Sequence, residues 1–366
     1  MTPIPTSASP RDLRLQRVRQ LVMQYGWNAT AYQLLNPGIH HWFSPRCEAV
    51  VGYVNWGKIR VVAGAPVCAE EELPQVVAEF ERASAARGRR VCYFGAAGRL
   101  ETLLNENPAY ASVVLGSQPV WHPHEWAGIV DGRASLRAQI NRARNKRIIV
   151  RERPAASAQN DPQLERVLRE WLHTRGLPSL HFLVEPRTLA RLLDRRIWVA
   201  ERAGKVVAFL VMSPVPQRQG WLTEQFVRGR DAPNGTVELL MDTAIRALSI
   251  EGAQYVTMGL VPLSHLGRAE AQARNEPFWL RLMMHWVRAH GRRFYNFDGL
   301  EAFKSKFCPR EWEPIWAFAR EPSFSPTSLW AIAGAFSRQS PSTLIQRGLW
   351  RAVRQEWRWF QERRAL

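Results

Sequence analysis

Cysteine is scarce and scattered. The four residues, Cys47, Cys68, Cys92 and Cys308, stand far apart and form no Cys-x-x-Cys pair, which argues against a zinc site and a disulfide framework and fits a reducing compartment. Long apolar runs are missing as well. Nowhere do the roughly 18 consecutive apolar residues of a membrane span occur, and Met1 to Asp12 carries Pro and Ser without an apolar core of signal-peptide length. The chain is expected to be cytoplasmic, neither spanning a membrane nor exported. Acid is the third shortage: 32 Asp and Glu face 50 Lys and Arg, a net charge of +18, which favours polyanionic partners such as nucleic acid or an anionic membrane surface.

Apolar material is plentiful. Hydrophobic residues make up 46% of the 366, with 16 Trp and no purely polar stretch, so order is expected nearly throughout and two domains of about 150 residues are the default. Leu15, Val18, Leu21 and Val22 recur at helical spacing, and Glu48 to Val62 reads as a hairpin around Asn55-Trp56-Gly57-Lys58. Leu73 to Ala86 has a helical pattern that stops at Gly88; Val91 to Phe94 reads as a buried strand and Gly98 to Asn107 as a helix. A comparable order returns later. Ile197 to Ala200 and Val206 to Met212 flank the turn Ala203-Gly204, and Trp221 to Val227 is a third strand. A long helix carries Val237, Leu240, Met241, Ala244, Ile245 and Leu248 on one stripe, Gly252 ends it, and Tyr255 to Met258 follows as a strand. A further helical stripe runs from Trp279 to Val287. Two such units suggest a duplicated α/β (α+β) fold of two mixed-sheet lobes. Residues 1–150 form the first lobe, expected to be degenerate, and 151–320 the catalytic lobe, with a linker somewhere in Arg151 to Pro162. Residues 321–366 form an extension in which Ile345, Leu349, Val353, Trp357 and Phe360 make an apolar stripe among arginines, suited either to an anionic bilayer surface or to packing on the domain.

Three stretches carry chemistry. Val227 to Thr236 is a Gly- and Pro-punctuated loop between a strand and a helix, where backbone N–H groups and a helix dipole can meet an anion or an oxyanion; a plain turn at Asn234-Gly235 is the simpler account. Coenzyme A-dependent enzymes of the GNAT class hold an Arg/Gln-x-x-Gly-x-Gly/Ala loop here, whereas Arg228 is followed by Asp231, Pro233 and Asn234, so coenzyme A is not the obvious donor. Glu224 lies inside the third strand, expected to share a face with Leu222, Phe226 and Arg228, and a buried acid is costly unless paired or used. Glu238 and Asp242 share a helix face, able to hold an amino group or simply to complement the dipole. In the third stretch Phe303 and Phe307 anchor a short helix with Lys304 beside them and Lys306 pointing elsewhere, ahead of Trp312-Glu313-Pro314.

Taken together, Ala232-Pro233-Asn234-Gly235-Thr236, Met258 to Ser264, Gly299-Leu300, Phe303 to Phe307 and Trp312-Glu313-Pro314 resemble, in order and spacing, the soluble catalytic domain of lysyl- and alanyl-phosphatidylglycerol synthases. Ser135-Leu136-Arg137 with Asn141-Arg142-Ala143 looks like that family's connecting helix, so the resemblance covers roughly Arg133 to Ala319. It implies a tandem GNAT fold, with aminoacyl-tRNA as donor and no cofactor or metal, transferring an aminoacyl ester to the hydroxyl of a polar lipid at the inner face of the membrane. Glu238 matches the acidic position after the Asn-Gly loop and Lys304 the lysine of the late motif. On this reading Glu224, Glu238 and Lys304 are catalytic, and Arg228, Asn234, Gly235, Asp242, Lys306 and Trp312 bind substrate. Arg133, Arg137, Asn141, Arg142 and Arg144 offer a backbone-directed seat for the tRNA acceptor stem or a phosphate, or are a solvated basic helix. The sequence departs from the family in having no counterpart of the membrane-embedded half that many members carry, and in an extra residue between Pro309 and Trp312. Two other readings stay open. One is an N- or O-acyltransferase using acyl-CoA or an acyl carrier, against which the loop counts. The other is an inactive GNAT-like module binding nucleic acid or membrane, against which the retained acids and Lys304 count.

Overall fold

The computed structural model describes residues 9–174, 181–266, 279–280 and 297–337. Local sequence signals set the first elements. Helix α1 (Pro10–Tyr25) opens on a proline, whose missing N–H is no loss in the first turn, and Ser9 caps it by accepting from the Asp12 N–H at 3.2 Å. Strands β1 (His40–Phe43), β2 (Val50–Trp56) and β3 (Ile59–Ala63) form an antiparallel meander, and the β2–β3 hairpin turns through Gly57 as its sequence suggests. Helix α2 (Leu73–Ala85) then crosses to β4 (Arg90–Ala96), which runs parallel to β3. Helix α3 (Arg99–Asn105) leads into β5 (Ala111–Trp121), and α4 (Trp126–Gly132) and α5 (Ala134–Asn145) close the first half.

The second half repeats the scheme. Strands β6 (Ile149–Arg153), β7 (Arg196–Arg202), β8 (Lys205–Val215) and β9 (Gly220–Arg228) form a meander, with α6 (Ala155–Ala158) and α7 (Pro162–Thr174) between β6 and β7. Helix α8 (Thr236–Ile250) crosses to β10 (Tyr255–Thr257), parallel to β9. The short β11 (Val261–Pro262), helix α9 (Phe297–Ser305), β12 (Glu311–Ala319) and α10 (Pro326–Ser337) follow. Among the described residues the strands form one sheet in the order β1-β2-β3-β4-β12-β5-β10-β9-β8-β7-β6, with β11 paired to β5 off this path. Each half is covered on both faces. Helix α1 and α10 lie over one face of the first half and α2 with α3 over the other; α4, α5 and α8 cover one face of the second and α7 the other.

Two features depart from the sequence reading. Arg151 to Arg153, expected within a linker, belong to β6, which pairs with β7 at the sheet edge. An edge strand satisfies its backbone on one side while its side chains reach water or ions, so it shows no apolar alternation. Strand β12 was not foreseen, because Pro314 sits inside it. That proline is tolerated because β12 pairs with β5 from Glu311 onward but with β4 only from Trp316, so at Pro314 one side of the strand needs no donor. The expected helix at Trp279 to Val287 and the basic extension beyond 337 lie largely or wholly outside the described residues.

Gly235 fixes how α5 meets α8. Its φ of +92° is in the left-handed region, and a Cβ there would stand 2.0 Å from the Gln139 carbonyl oxygen. Gly88 also has a positive φ, +63°, but faces open space. Gly88→Ala should therefore lower unfolding free energy by only about 1–2 kcal/mol, and Gly235→Ala by clearly more, since α5 must move. Urea melts of the two variants check this; equal losses would mean that the α5 contact contributes nothing.

Candidate active site

The site forms where β9 and β10 part. Their parallel register covers Tyr255 to Thr257 against Gly220 to Leu222, after which β9 continues to Arg228 while the other strand leaves. Thr257 faces Val120 and Val261 faces Ser117, so the intervening segment carries one residue more than β5 and bows out, with Gly259 at φ +69°. Three carbonyls are turned inward by this bow. Lys304, from α9 and buried, donates to all of them: Met258 O at 2.7 Å, Gly259 O at 2.8 Å and Leu260 O at 3.2 Å. An ammonium has three donors, so these contacts commit every one. Burial pushes the Lys304 amine down from its ordinary 10.5 to about 7.

Helix α9 is held over this notch by aromatics. Phe303 meets Phe226 of β9 edge to face at 5.9 Å and Phe307 at 5.5 Å, and Phe307 stacks near Trp126. The Trp121 indole N–H donates to Phe307 O at 2.9 Å. Lys306 does not point away, as a regular helix would have it. The helix ends at Ser305, and the Lys306 ammonium ion-pairs with Glu238 while lying 4.3 Å from the Phe303 ring centre. Glu238 is buried in the first turn of α8, where the helix dipole also favours its charge.

The other candidates divide by what they touch. Asp242 is 1% exposed and accepts from Trp126 Nε1 at 3.1 Å, Arg144 at 3.0 Å and Arg246 at 2.7 Å, so it ties α4 and α5 to α8. Arg228 reaches Ala232 O at 2.8 Å and Asn234 Oδ1 at 3.1 Å, bracing the loop that ends at Gly235. Trp312 is half-buried in β12 opposite Pro119. On the basic stretch Arg133, Asn141, Arg142 and Arg144 are exposed, Arg144 while ion-paired with Asp242, and Arg137 bonds Val130 O at 3.2 Å. Among the described residues no group of three or more His, Cys, Asp or Glu side chains is placed to hold a metal, and no helix is long and apolar enough to cross a membrane.

Glu224 occupies a position that simple alternation misplaces. Met212 pairs with Thr223 and Val211 with Gln225, so Glu224 is the extra residue of a β-bulge. The bulge puts Trp221 and Phe226 on the same α8-facing core, although they are five apart, and overturns the expected grouping of Leu222, Glu224, Phe226 and Arg228. Glu224 is met by Arg195 at 3.0 and 3.2 Å and by Gln33, from the first lobe, at 2.9 Å. Arg195 in turn lies 4.9 Å from the Tyr32 ring centre.

The sequence reading missed Gln33, Arg195 and a second polar cluster. In that cluster Glu313 accepts from Arg218 at 2.9 Å and Gln118 at 2.8 Å, with Tyr255 hydroxyl 3.0 Å from Gln118 and its ring 3.7 Å from the Arg218 guanidinium carbon. Glu313 had a signal, an acid between Trp312 and Pro314 in an apolar run. Arg195 had none, since Asp194-Arg195-Arg196 reads as a solvated charge run.

Two lobes, each a meander followed by a helical crossover to a parallel strand and joined edge to edge in one sheet, define a tandem GNAT-like fold. Within that class the chain belongs to the family described as phosphatidylglycerol lysyltransferase, C-terminal, whose model matches residues 19–319. A phosphatidylglycerol lysyltransferase of Bacillus subtilis (strain 168) is 26% identical over 330 residues, 89% of this chain and 37% of that protein. One of Staphylococcus haemolyticus is 22% identical, over 86% of this chain and 36% of that protein. The chain thus spans little more than a third of the length of these curated relatives. The fold matches the C-terminal domain of a putative lysylphosphatidylglycerol synthetase from Agrobacterium fabrum, with TM-score 0.72, 22% identity and coverage of 88% of this chain and 96% of that one. It also matches the L-PGS structure from Bacillus licheniformis, with TM-score 0.70, 21% identity and coverage of 95% and 98%.

Two predictions follow from this geometry. The unfolded chain keeps the Lys304 proton up to about 10.5 and the folded protein only to about 7. Between these values the unfolded state binds more protons, so Lys304 contributes a stability that rises with pH by up to about 1.4 kcal/mol per unit. The unfolding free energy of the native protein relative to Lys304→Met should climb from pH 7 to 9; a flat difference would show that the carbonyls keep the ammonium charged. Glu224→Gln, which breaks a pair 7% and 3% exposed at its side chains, should lose about 3–5 kcal/mol. Arg310→Ala, whose pair with Glu125 is 61% and 30% exposed, should lose about 1 kcal/mol or less. Chemical denaturation of both separates the two cases, and similar losses would refute the assignment of Glu224.

Proposed function

We propose that this chain is an aminoacyltransferase that moves an amino acid from aminoacyl-tRNA to a hydroxyl of phosphatidylglycerol, working at the membrane surface on the cytoplasmic side. The observation that carries the reading is the family match, which runs through both lobes and includes the β9–β10 notch with Lys304 and Glu238. The relatives' names specify lysine and phosphatidylglycerol, and the surplus of 50 basic over 32 acidic residues suits a polyanionic donor and an anionic acceptor.

The reaction is an ester exchange. The lipid hydroxyl oxygen attacks the aminoacyl carbonyl carbon, the bond to the ribose oxygen breaks, and the proton lost by the lipid hydroxyl ends on that ribose oxygen. No redox change or metal is needed, and the barrier lies in bringing two bulky substrates together and stabilising an oxyanion. Glu238 has the charge to hold the ammonium of the amino acid, with Lys306 as the partner that a substrate amine would displace. Lys304 shapes the mouth by fixing Met258 to Leu260; to touch substrate it would exchange one carbonyl for the oxyanion or a phosphate oxygen. Arg228, Asn234 and Gly235 position the loop at the start of α8. Arg133, Asn141, Arg142 and Arg144 are the exposed part of a seat for the tRNA backbone, a salt-sensitive contact that reads no bases.

Lipid mass spectrometry on cells expressing the native protein should reveal a phospholipid heavier by one amino-acid residue. Its amount should fall by about a hundredfold with Glu238→Gln or Lys304→Ala, as expected when a reactant loses its placement. An unchanged lipidome in cells holding folded protein would exclude the lipid as acceptor.

A further inference from the structure

The first lobe contains a cavity of about 300 Å³ that the transfer reading does not use. Its wall combines Arg11 and Arg14 from the first turns of α1, His40 and His41 of β1, Tyr53 of β2, and Arg191 from the segment preceding β7. Among the described residues no carboxylate lines it. Among the described residues none of the three guanidiniums forms an ion pair: Arg14 donates to the His41 carbonyl, Arg191 to Leu35 O at 2.9 Å, and Arg11 is exposed. Other arginines of this region behave differently, Arg19 pairing with Asp194 and Arg195 with Glu224. Three like charges converging on one concavity repel one another, and an anion relieves that repulsion. The guanidinium fork suits phosphate oxygens in particular. A volume of about 300 Å³ is at the small end of ligand clefts and exceeds what a bare ion fills.

We propose that this cavity binds a phosphate ester carried on a small polar stem, either a free metabolite-sized ester or the headgroup of a phospholipid. The stem lies along the His40 and Tyr53 rings, which stand 5.6 Å apart between centres, and the phosphate faces the arginines. The inference rests on these residues alone and not on the transfer reaction.

Calorimetric titration of the full chain with sn-glycerol 3-phosphate, alongside flotation with vesicles of phosphatidylglycerol or of phosphatidylcholine, tests it. Arg14→Gln and Arg191→Gln should each weaken binding about tenfold, the loss of one charge-assisted contact. Arg11→Gln guards against misfolding as the cause, because that side chain makes no hydrogen bond to the described residues, and it should weaken binding in the same direction. Titration by glycerol phosphate identifies a soluble ester as the ligand. Retention on phosphatidylglycerol vesicles alone, lost in the same variants, identifies the headgroup. Absence of binding to either, or binding that the three variants leave unchanged, overturns the proposal.

Discussion

Three backbone carbonyls at the parting of β9 and β10 impose the constraint on which the rest of this structure depends. Where two parallel strands diverge inside a fold, peptide groups lose their sheet partners without gaining water, and each must find a donor. Met258, Gly259 and Leu260 find theirs in the single ammonium of Lys304. This solution has its own cost, since burying an ammonium away from water lowers its proton affinity. It also fixes α9. Phe303 and Phe307 flank the lysine and pack on Phe226 and Trp126, and Lys306 just beyond the helix reaches Glu238. The notch is thereby open in backbone pairing yet closed by side chains.

Buried and half-buried acids do the joining elsewhere. Asp242 links α4, α5 and α8; Glu224 links β9 to Arg195 and to Gln33 of the first lobe; Glu313 links β12 to Arg218 and Gln118. Each would be costly alone, and each has two or more donors. Acids are the minority charge in this chain, and these three are held inside the protein by arginines. Many of the surplus cations remain at the surface, including Arg133 and Arg142 on the connecting helix. Around the cavity bounded by Arg11, Arg14 and Arg191, the three guanidiniums form no ion pair among the described residues.

Much of the architecture was legible because it follows from local periodicity. The β2–β3 hairpin turns at Gly57, α8 carries its apolar stripe, and the crossover scheme appears twice, since side-chain spacing of two or about four residues is set by strand and helix geometry. The loop into α8 and the late Phe303 to Phe307 motif were also visible, and they do meet around one notch. The partners were not. Whether Asp242 faces a substrate or Arg144, and whether Glu224 lies on the face that alternation assigns, depends on a bulge and on residues distant in sequence, Gln33 being 191 positions from Glu224.

The sequence by itself determined the family, the two-lobed α/β plan, the basic surface and the identity of the chemically able side chains, because these reside in composition, order and short-range spacing. Tertiary structure alone decided that β12 returns between β4 and β5, that Lys304 is saturated by carbonyls, that Lys306 rather than Lys304 pairs with Glu238, and that three arginines converge on a cavity beside α1. Those outcomes depend on where a buried polar group finds its partner. That search is made across the whole folded chain and leaves no periodic trace along it.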